Sequence, residues 1–358
     1  MTFNKDNDGM KFSDTKIQTI IPTKIIGPIN FVYNGMKESV SVPMATLETP
    51  LWYSAKRGAF VSQKSDGIRV FVSDDFMTRS IILEANDVED MLKCKEWIFA
   101  NQKSIENIVN KSSRFAKLKN IHIENVAKLL YIRFSIETGN ASGHNMVTKA
   151  ADDIANFITS HCEGVNYISV SGNYCVDKKV SAINGILGRG KRVSAEIIVK
   201  KDVCESILRT SPSKICELNT KKNLIGSILA GSVRSANAHY ANTVLAVFLA
   251  TGQDAANIIE ASQGITFAET HGEDLYFSVN MPNIIVGTLG NGKNLDFAIK
   301  NLELMKCYPN DANSSKRLAA IIAAATLCSE LSLIAAQTNQ GELMESHIAL
   351  ERDNNKNV

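Results

Sequence analysis

Residues 318–336 constrain the fold more than any other segment of this chain. They are apolar almost throughout, broken by Glu330 and the hydroxyl residues Thr326, Ser329 and Ser332. A helix that is apolar on every side must be covered on every side. With a carboxylate and three hydroxyls inside it, a buried core helix explains the run better than a membrane span. Such a helix needs layers of other structure around it. The 358 residues suffice for more than one domain and a substantial core, and 44% hydrophobic with 21% charged residues is ordinary for a globular protein.

The remaining patterns supply those layers. Residues 1–20 read as peripheral or disordered. Residues 21–42 suggest short strands with Tyr33-Asn34-Gly35 as a hairpin turn. Residues 45–55 suggest a helix, with Pro50 confined to its first turn near Glu48. Residues 80–171 read as a compact insert. Residues 79–84 alternate like a strand, 88–109 have helical spacing, and 118–124 and 129–137 are strands joined near Asn125. A helix at 146–158 and a strand at 167–170 complete a βαββαβ, ferredoxin-like order. Beyond it come a strand at 192–200, a short helix at 202–209, closely packed helices within 224–250, and strands at 275–279 and 283–286. The expected fold class is α+β. A large mixed α/β domain (1–79 and 172–358) carries the small inserted domain (80–171).

Net charge is +2, so neither nucleic acid nor an anionic membrane is an expected partner. The seven cysteines are scattered and include no CxxC, which argues for reduced thiols in a cytoplasm and against a zinc site or other metal site. No signal peptide is visible in the polar N-terminus.

Residues 171–179, SGNYCVDKK, hold the densest candidate chemistry. Lys179 beside Lys178 favours a lowered lysine pKa, and Asp177 opposes it. Glu48 stands among Met44, Leu51, Trp52 and Tyr53, surroundings that would raise a carboxyl pKa toward that of a proton donor. His239 and Asn242 are three apart, so they share a helix face. Asp254 follows Gly252-Gln253 at a helix end, where a carboxylate is unfavourable without a basic partner. His347 lies near the C-terminus. Two places suit a dinucleotide. The turn Gly139-Asn140-Ala141-Ser142-Gly143 precedes a helix, and Ser112-Ser113-Arg114 can hold a phosphate. Gly287, Gly290 and Gly292 mark another glycine loop. None of these runs carries GxGxxG.

Read in order, these pieces resemble 3-hydroxy-3-methylglutaryl-coenzyme A reductase. They are MATLE at 44–48, SGNYCVDKK at 171–179, Gly185 to Arg192, KNLIGS at 222–227, NAHYAN at 237–242, GQD at 252–254 and Ser346-His347, spread over residues 25–352. The SGNYC-x-DKK run resembles the first class of the family, without the membrane anchor of the animal enzymes. The resemblance implies four-electron reduction of the thioester to mevalonate and coenzyme A with two NADPH, through a hemithioacetal and mevaldehyde. It implies an obligate homodimer, or a tetramer built from it. Lys178 would stabilise the oxyanion, Asp254 would hold Lys178 and Glu48 in register, Glu48 would protonate the carbonyl oxygen, and His347 the departing thiolate. Arg79, Ser171, Asp177, Lys179, Lys222, Asn237, His239 and Asn242 would bind the substrate's hydroxymethylglutaryl side, and Arg57 its coenzyme A. Ser113, Arg114, Asn140, Ser142, Gly143, His144, Asn145, Gly290, Gly292 and Arg352 would bind the cofactor.

The chain departs from the family pattern at several places. Asn140 replaces Asp, Ser142 and His144 replace Met, Leu47 replaces Thr, Glu351 replaces Asn, and Asp353 replaces the serine phosphorylated in animal enzymes. Two other readings stay open: an NAD-linked catabolic reverse reaction, and an inert binder of coenzyme A thioesters.

Overall fold

The structure, a computed structural model, describes residues 19–309 and 311–352, without the side chains of His347, Leu350, Glu351 and Arg352. The expectation for residues 1–18 falls outside the described residues.

Strands β1 (Thr23–Tyr33) and β2 (Met36–Ala45) form an antiparallel hairpin. Asn34 and Gly35 between them take φ of 49° and 77°. Both left-handed positions are what an Asn-Gly hairpin turn supplies. The strand β3 (Ile68–Ala85) runs for 18 residues and serves two sheets. Its first half pairs with β1 in parallel and with β7 (Gly190–Val199) in antiparallel fashion. Its second half, from Met77, pairs with β5 (Leu129–Glu137) and β6 (Val165–Val170), and β4 (Lys117–Val126) joins outside β5. The expected boundary at residue 80 therefore falls inside a continuous strand. The first sheet is completed by β9 (Asp274–Ile284) against β7 and by β8 (Ile265–His271) against β9.

Several expected elements shift. Helix α1 spans Thr49–Lys64, not 45–55, because β2 holds the chain extended to Ala45 and Pro50 sits in the first turn, where no amide donor is needed. The helix expected at 88–109 is two, α2 (Val88–Ala100) and α3 (Gln102–Ser112). Asn101 breaks them: its backbone N–H and Nδ2 both donate to the Trp97 carbonyl. Helix α4 is His144–His161. The turn between β4 and β5 centres on Ala127 (φ 49°), past Asn125. The two strands expected at 275–279 and 283–286 are one, β9. Pro282 is tolerated there because the pairing with β7 is irregular beyond Met281.

The apolar run is the central helix, Ser314–Gln337, with residues 318–332 buried without exception. Alone among the described residues it is long and apolar enough to cross a membrane, yet 94% of its most apolar window lies inside the protein. It packs against α1, β7, β9 and the helix Tyr240–Ala250. Gly58 of α1 makes the closest approach: a Cβ there would lie 2.0 Å from the Cys328 carbonyl oxygen. One hydrophobic core surrounds this helix. A second, with Met91, Ile98, Ile105, Phe134 and Ile154, lies between the β4-β5-β3-β6 sheet and α2–α4.

Candidate active site

Loop 171–179 leaves β6 and is pinned from several sides. Ser80 Oγ accepts from the Gly172 and Cys175 amides, at 3.1 and 3.0 Å. Thr78 Oγ1 donates to the Cys175 carbonyl and Asn184 Nδ2 to that of Val176. Asn173, Val176 and Lys178 carry φ of 54°, 45° and 55°. For a β-branched valine this conformation is strained, and strain persists only where surroundings over-determine it. Ser171 Oγ accepts from the Asn173 amide, and Lys179 Nζ donates to the Asp177 carbonyl.

The loop presents Lys178, whose Nζ lies 2.8 Å from Asp254 Oδ2. The basic partner expected for Asp254 is thus Lys178. The hydrogen bond to Asp254 raises the Lys178 pKa against partial burial, and Asp177 adds to the rise in the sense expected of it. Burial would raise the Asp254 carboxyl, but the bonds from Lys178 and the Ala256 amide draw it below its ordinary value. Lys178 is therefore a standing cation.

Beneath the loop lies an ionic network that sequence reasoning missed. Arg189 is 1% exposed. It donates from Nη1 to the Thr78 carbonyl and hydroxyl and from Nη2 to Asp177 Oδ1 at 2.6 Å, and its Nε lies 3.4 Å from Glu260 Oε1. Glu260 is wholly buried and accepts the Lys178 backbone N–H. Burial pushes the Glu260 carboxyl up, against that N–H and Arg189. Asp177 is also approached by His144 (3.7 Å) and Arg79 (3.9 Å). Burial raises its pKa, but His144, Arg189 and Lys178 more than offset this and hold it well below the carboxylate range.

A second group forms elsewhere. Glu48 precedes α1 and accepts from Asn242 Nδ2 at 2.6 Å. The apolar surroundings expected for Glu48 are not there: it is exposed, and the Trp52 indole is spent on the Met44 carbonyl. His239 is not on the helix with Asn242 but just before it. Its amide and that of Ala238 donate to buried Glu330. His239 Nε2 is buried without a hydrogen-bond partner. With Glu48, Arg57, Asn242 and Ser346 it lines a cavity of about 490 Å³. Lys222 sits on a π-helical stretch, Asn219–Gly226. Burial lowers its pKa and Glu330 opposes the change. Arg57 is already engaged by Ser332 and Glu342, and Asn237 by Ser235, Ser262, Gly264 and the Tyr240 amide. His347 and Arg352 lie on the helix Glu342–Arg352, but their side chains are outside the described residues.

The expected cofactor residues divide. Arg114 is exposed, stacked 4.6 Å over the Phe115 ring and without an ion pair among the described residues, and the Ser113 hydroxyl accepts from the Phe115 amide. Asn140 is committed to structure. Its Nδ2 donates to the Asp311 carbonyl and its Oδ1 accepts from the Ser315 amide. The backbone around Asn140 and Ser142 abuts Gly287, and Gly292 is pressed against Gly252. Gly143 (φ 87°) leads into α4, Asn145 is exposed, His144 turns toward Asp177, and Gly290 has open space around it. Among the described residues no hydrogen bond or ion pair joins Lys178 or Asp254 to Glu48, Lys222, His239 or Asn242.

A profile of the family described as hydroxymethylglutaryl-coenzyme A reductase matches residues 18–352. The chain is 41% identical over 337 residues to the 3-hydroxy-3-methylglutaryl-coenzyme A reductase of Methanocaldococcus jannaschii, covering 93% of this chain and 82% of that one. It belongs to that family. This reductase converts hydroxymethylglutaryl-coenzyme A to mevalonate with a nicotinamide cofactor. The Aeropyrum pernix enzyme is 39% identical over 337 residues, covering 93% of this chain and 79% of its own. In fold the reductase is similar to the class II enzyme of Streptococcus pneumoniae bound to NADPH in open conformations. The TM-score is 0.74 at 16% identity, over 92% of this chain and 88% of that one.

Arg189→Met leaves the wholly buried Glu260 without its guanidinium and removes the nearest partner of the part-buried Asp177. It is expected to cost about 3–5 kcal/mol in urea unfolding, the range for breaking a buried ion pair, whereas Lys179→Met should cost less than about 1 kcal/mol. Equal small losses would show that Arg189 does not hold the loop.

Proposed function

We propose that each active site of this reductase is built by two copies of the chain and prefers NADPH. The observation that carries this reading is that, among the described residues, no hydrogen bond or ion pair joins the Lys178–Asp254 pair to the Glu48–Asn242 pair. Reduction of a thioester needs a cation at the developing oxyanion and a proton donor beside it. Lys178 is the cation, kept charged by Asp254. Glu48 gives the proton to the carbonyl oxygen. His347 protonates the departing thiolate. Exposed apolar residues flank both groups: Leu47 beside Glu48, Val180 beside Lys179, and Ile225, Ile228 and Leu229 after Lys222. A second copy that covered these residues would bring one chain's Glu48 to the other's Lys178.

Residues 80–171 form the small cofactor domain, and residues 1–79 with 172–358 the substrate domain. Two NADPH molecules, bound in turn, would each supply one hydride, the first to the thioester and the second to mevaldehyde. The site chemistry fits its phosphate: Arg114 is exposed and free of carboxylates, next to the Ser113 hydroxyl. Arg79, Asp177, Lys179, Lys222 and Asn242 hold the hydroxymethylglutaryl end, and the cavity beside Arg57 takes coenzyme A. A cytoplasmic location agrees with seven cysteines that are all free thiols.

Lys178→Ala and Asp254→Asn are each expected to lower turnover at least about a hundredfold with the fold retained, the loss seen when an oxyanion-stabilising group is removed. Near-normal turnover in either would remove them from the chemistry. For the cofactor, kcat/KM should favour NADPH over NADH by about ten- to a hundredfold, the range for one charge-assisted phosphate contact. Arg114→Glu should reverse that order. A wild type that favours NADH, or a ratio unmoved by the substitution, would place the phosphate elsewhere.

A further inference from the structure

His144 is the first residue of α4 and closes the turn that begins at Gly139. Both ends of that turn are fixed. Asn140 is clasped to Asp311 and Ser315 at the start of the central helix. Gly143, at φ 87°, is packed so closely on Thr138 that a Cβ would come within 2.3 Å. From this fixed base the imidazole crosses to loop 171–179. Its Nε2 lies 3.7 Å from Asp177 Oδ1, and it is buried with no hydrogen-bond partner. That distance is too long for a hydrogen bond, but a closing movement of about 1 Å would make one. Asp177 is the natural acceptor. Arg189 fixes its other contact at 2.6 Å, and Asp177 stays ionised. Asp177 already accepts from Arg189, so the unpartnered group is His144 Nε2, a buried ring nitrogen beside an ionised carboxylate and costly to leave without a bond.

We propose that His144 is a positioning residue that couples the cofactor turn to the substrate loop. This rests on the reading that the 139–145 turn faces the cofactor and Asp177 the substrate. A cofactor seated against the turn shifts the His144 ring, not the fixed backbone beneath it, onto Asp177, His144 Nε2–H is donated to the carboxylate, and the loop is preset for the thioester. The coupling is reciprocal, because binding free energies around a cycle must agree.

The test is calorimetric and uses the unreactive pair of hydroxymethylglutaryl-coenzyme A and NADP⁺. In the wild type, saturating NADP⁺ should tighten thioester binding by at least about fivefold, and saturating thioester should tighten NADP⁺ by the same factor. In His144→Met, which has no donor, the factor should fall to about one, while each ligand alone still binds. His144→Gln, whose amide can donate to Asp177, should restore a factor of at least about three. That rescue separates a hydrogen-bonding role from simple packing. A wild-type factor of one, a factor that survives His144→Met, or failure of the Gln variant to recover it overturns the proposal. Those outcomes leave the cofactor reading standing if NADP⁺ still binds. Failure of NADP⁺ to bind the wild type at all overturns both.

Discussion

The site depends on one buried guanidinium. Arg189 joins Thr78 of β3, Asp177 of the lysine loop and Glu260 ahead of β8. Without it, the wholly buried Glu260 and the part-buried Asp177 would both lose their guanidinium partner beneath Lys178, which favours proton uptake by the buried one. With it, Glu260 can hold the Lys178 amide, and the loop keeps the left-handed φ that aims the side chain at Asp254. The loop's strain, the cation's direction and the ionised state of Asp177 are one problem with one solution. Its place in the fold follows from β3, which carries Thr78 and Ser80 where it crosses from the first sheet to the second.

The electrostatics divide labour between groups of like type. Lys178 is exposed enough to remain hydrated and has a carboxylate at 2.8 Å, so its charge is secure. Lys222 is half-buried, with burial drawing its pKa down and only the more distant Glu330 opposing. The first suits stabilisation of a developing anion, and the second suits a hydrogen-bond donor whose charge responds to what binds beside it. Glu330 anchors the other group, accepting from Ala238, His239 and Thr266 within the central helix's own core. The apolar run is thus not wholly inert: its one carboxylate shapes the backbone that presents His239.

Regular periodicity made much of the fold legible in the sequence. The Asn34-Gly35 turn, the strand at 129–137, α4 and the central helix follow from hydrophobic spacing and turn chemistry, because those elements each bury one face or all faces. Boundaries were lost where a tertiary partner decides them. Asn101 ends α2 by bonding Trp97, and Pro282 passes inside β9 because β7 is irregular opposite it. Lys178, Asp254, Glu48 and Asn242 stand out as polar residues in specialised runs, and the structure pairs the first two with each other and the last two with each other. Arg189 and Glu260 were invisible because a buried charge reads in one dimension like a solvated one. The only signals were the glycines flanking Arg189 and the apolar neighbours Ile258, Ile259 and Ala261 around Glu260. His144 was read as a cofactor contact, and only the fold brings it to Asp177.

The central claim is that the two halves of the site meet only between chains, and subunit complementation tests it directly. Lys178→Ala and Glu48→Gln are each prepared inactive, then unfolded together in equal amounts and refolded. If the halves belong to different chains, each mixed dimer contains one site with both residues intact. Random pairing then restores about one quarter of wild-type activity per subunit, because half of the dimers are mixed and half of their sites are whole. Recovery near that level is the predicted result. A refolded, dimeric mixture that stays as inactive as its parents would contradict the account and place Lys178 and Glu48 in the same chain's site.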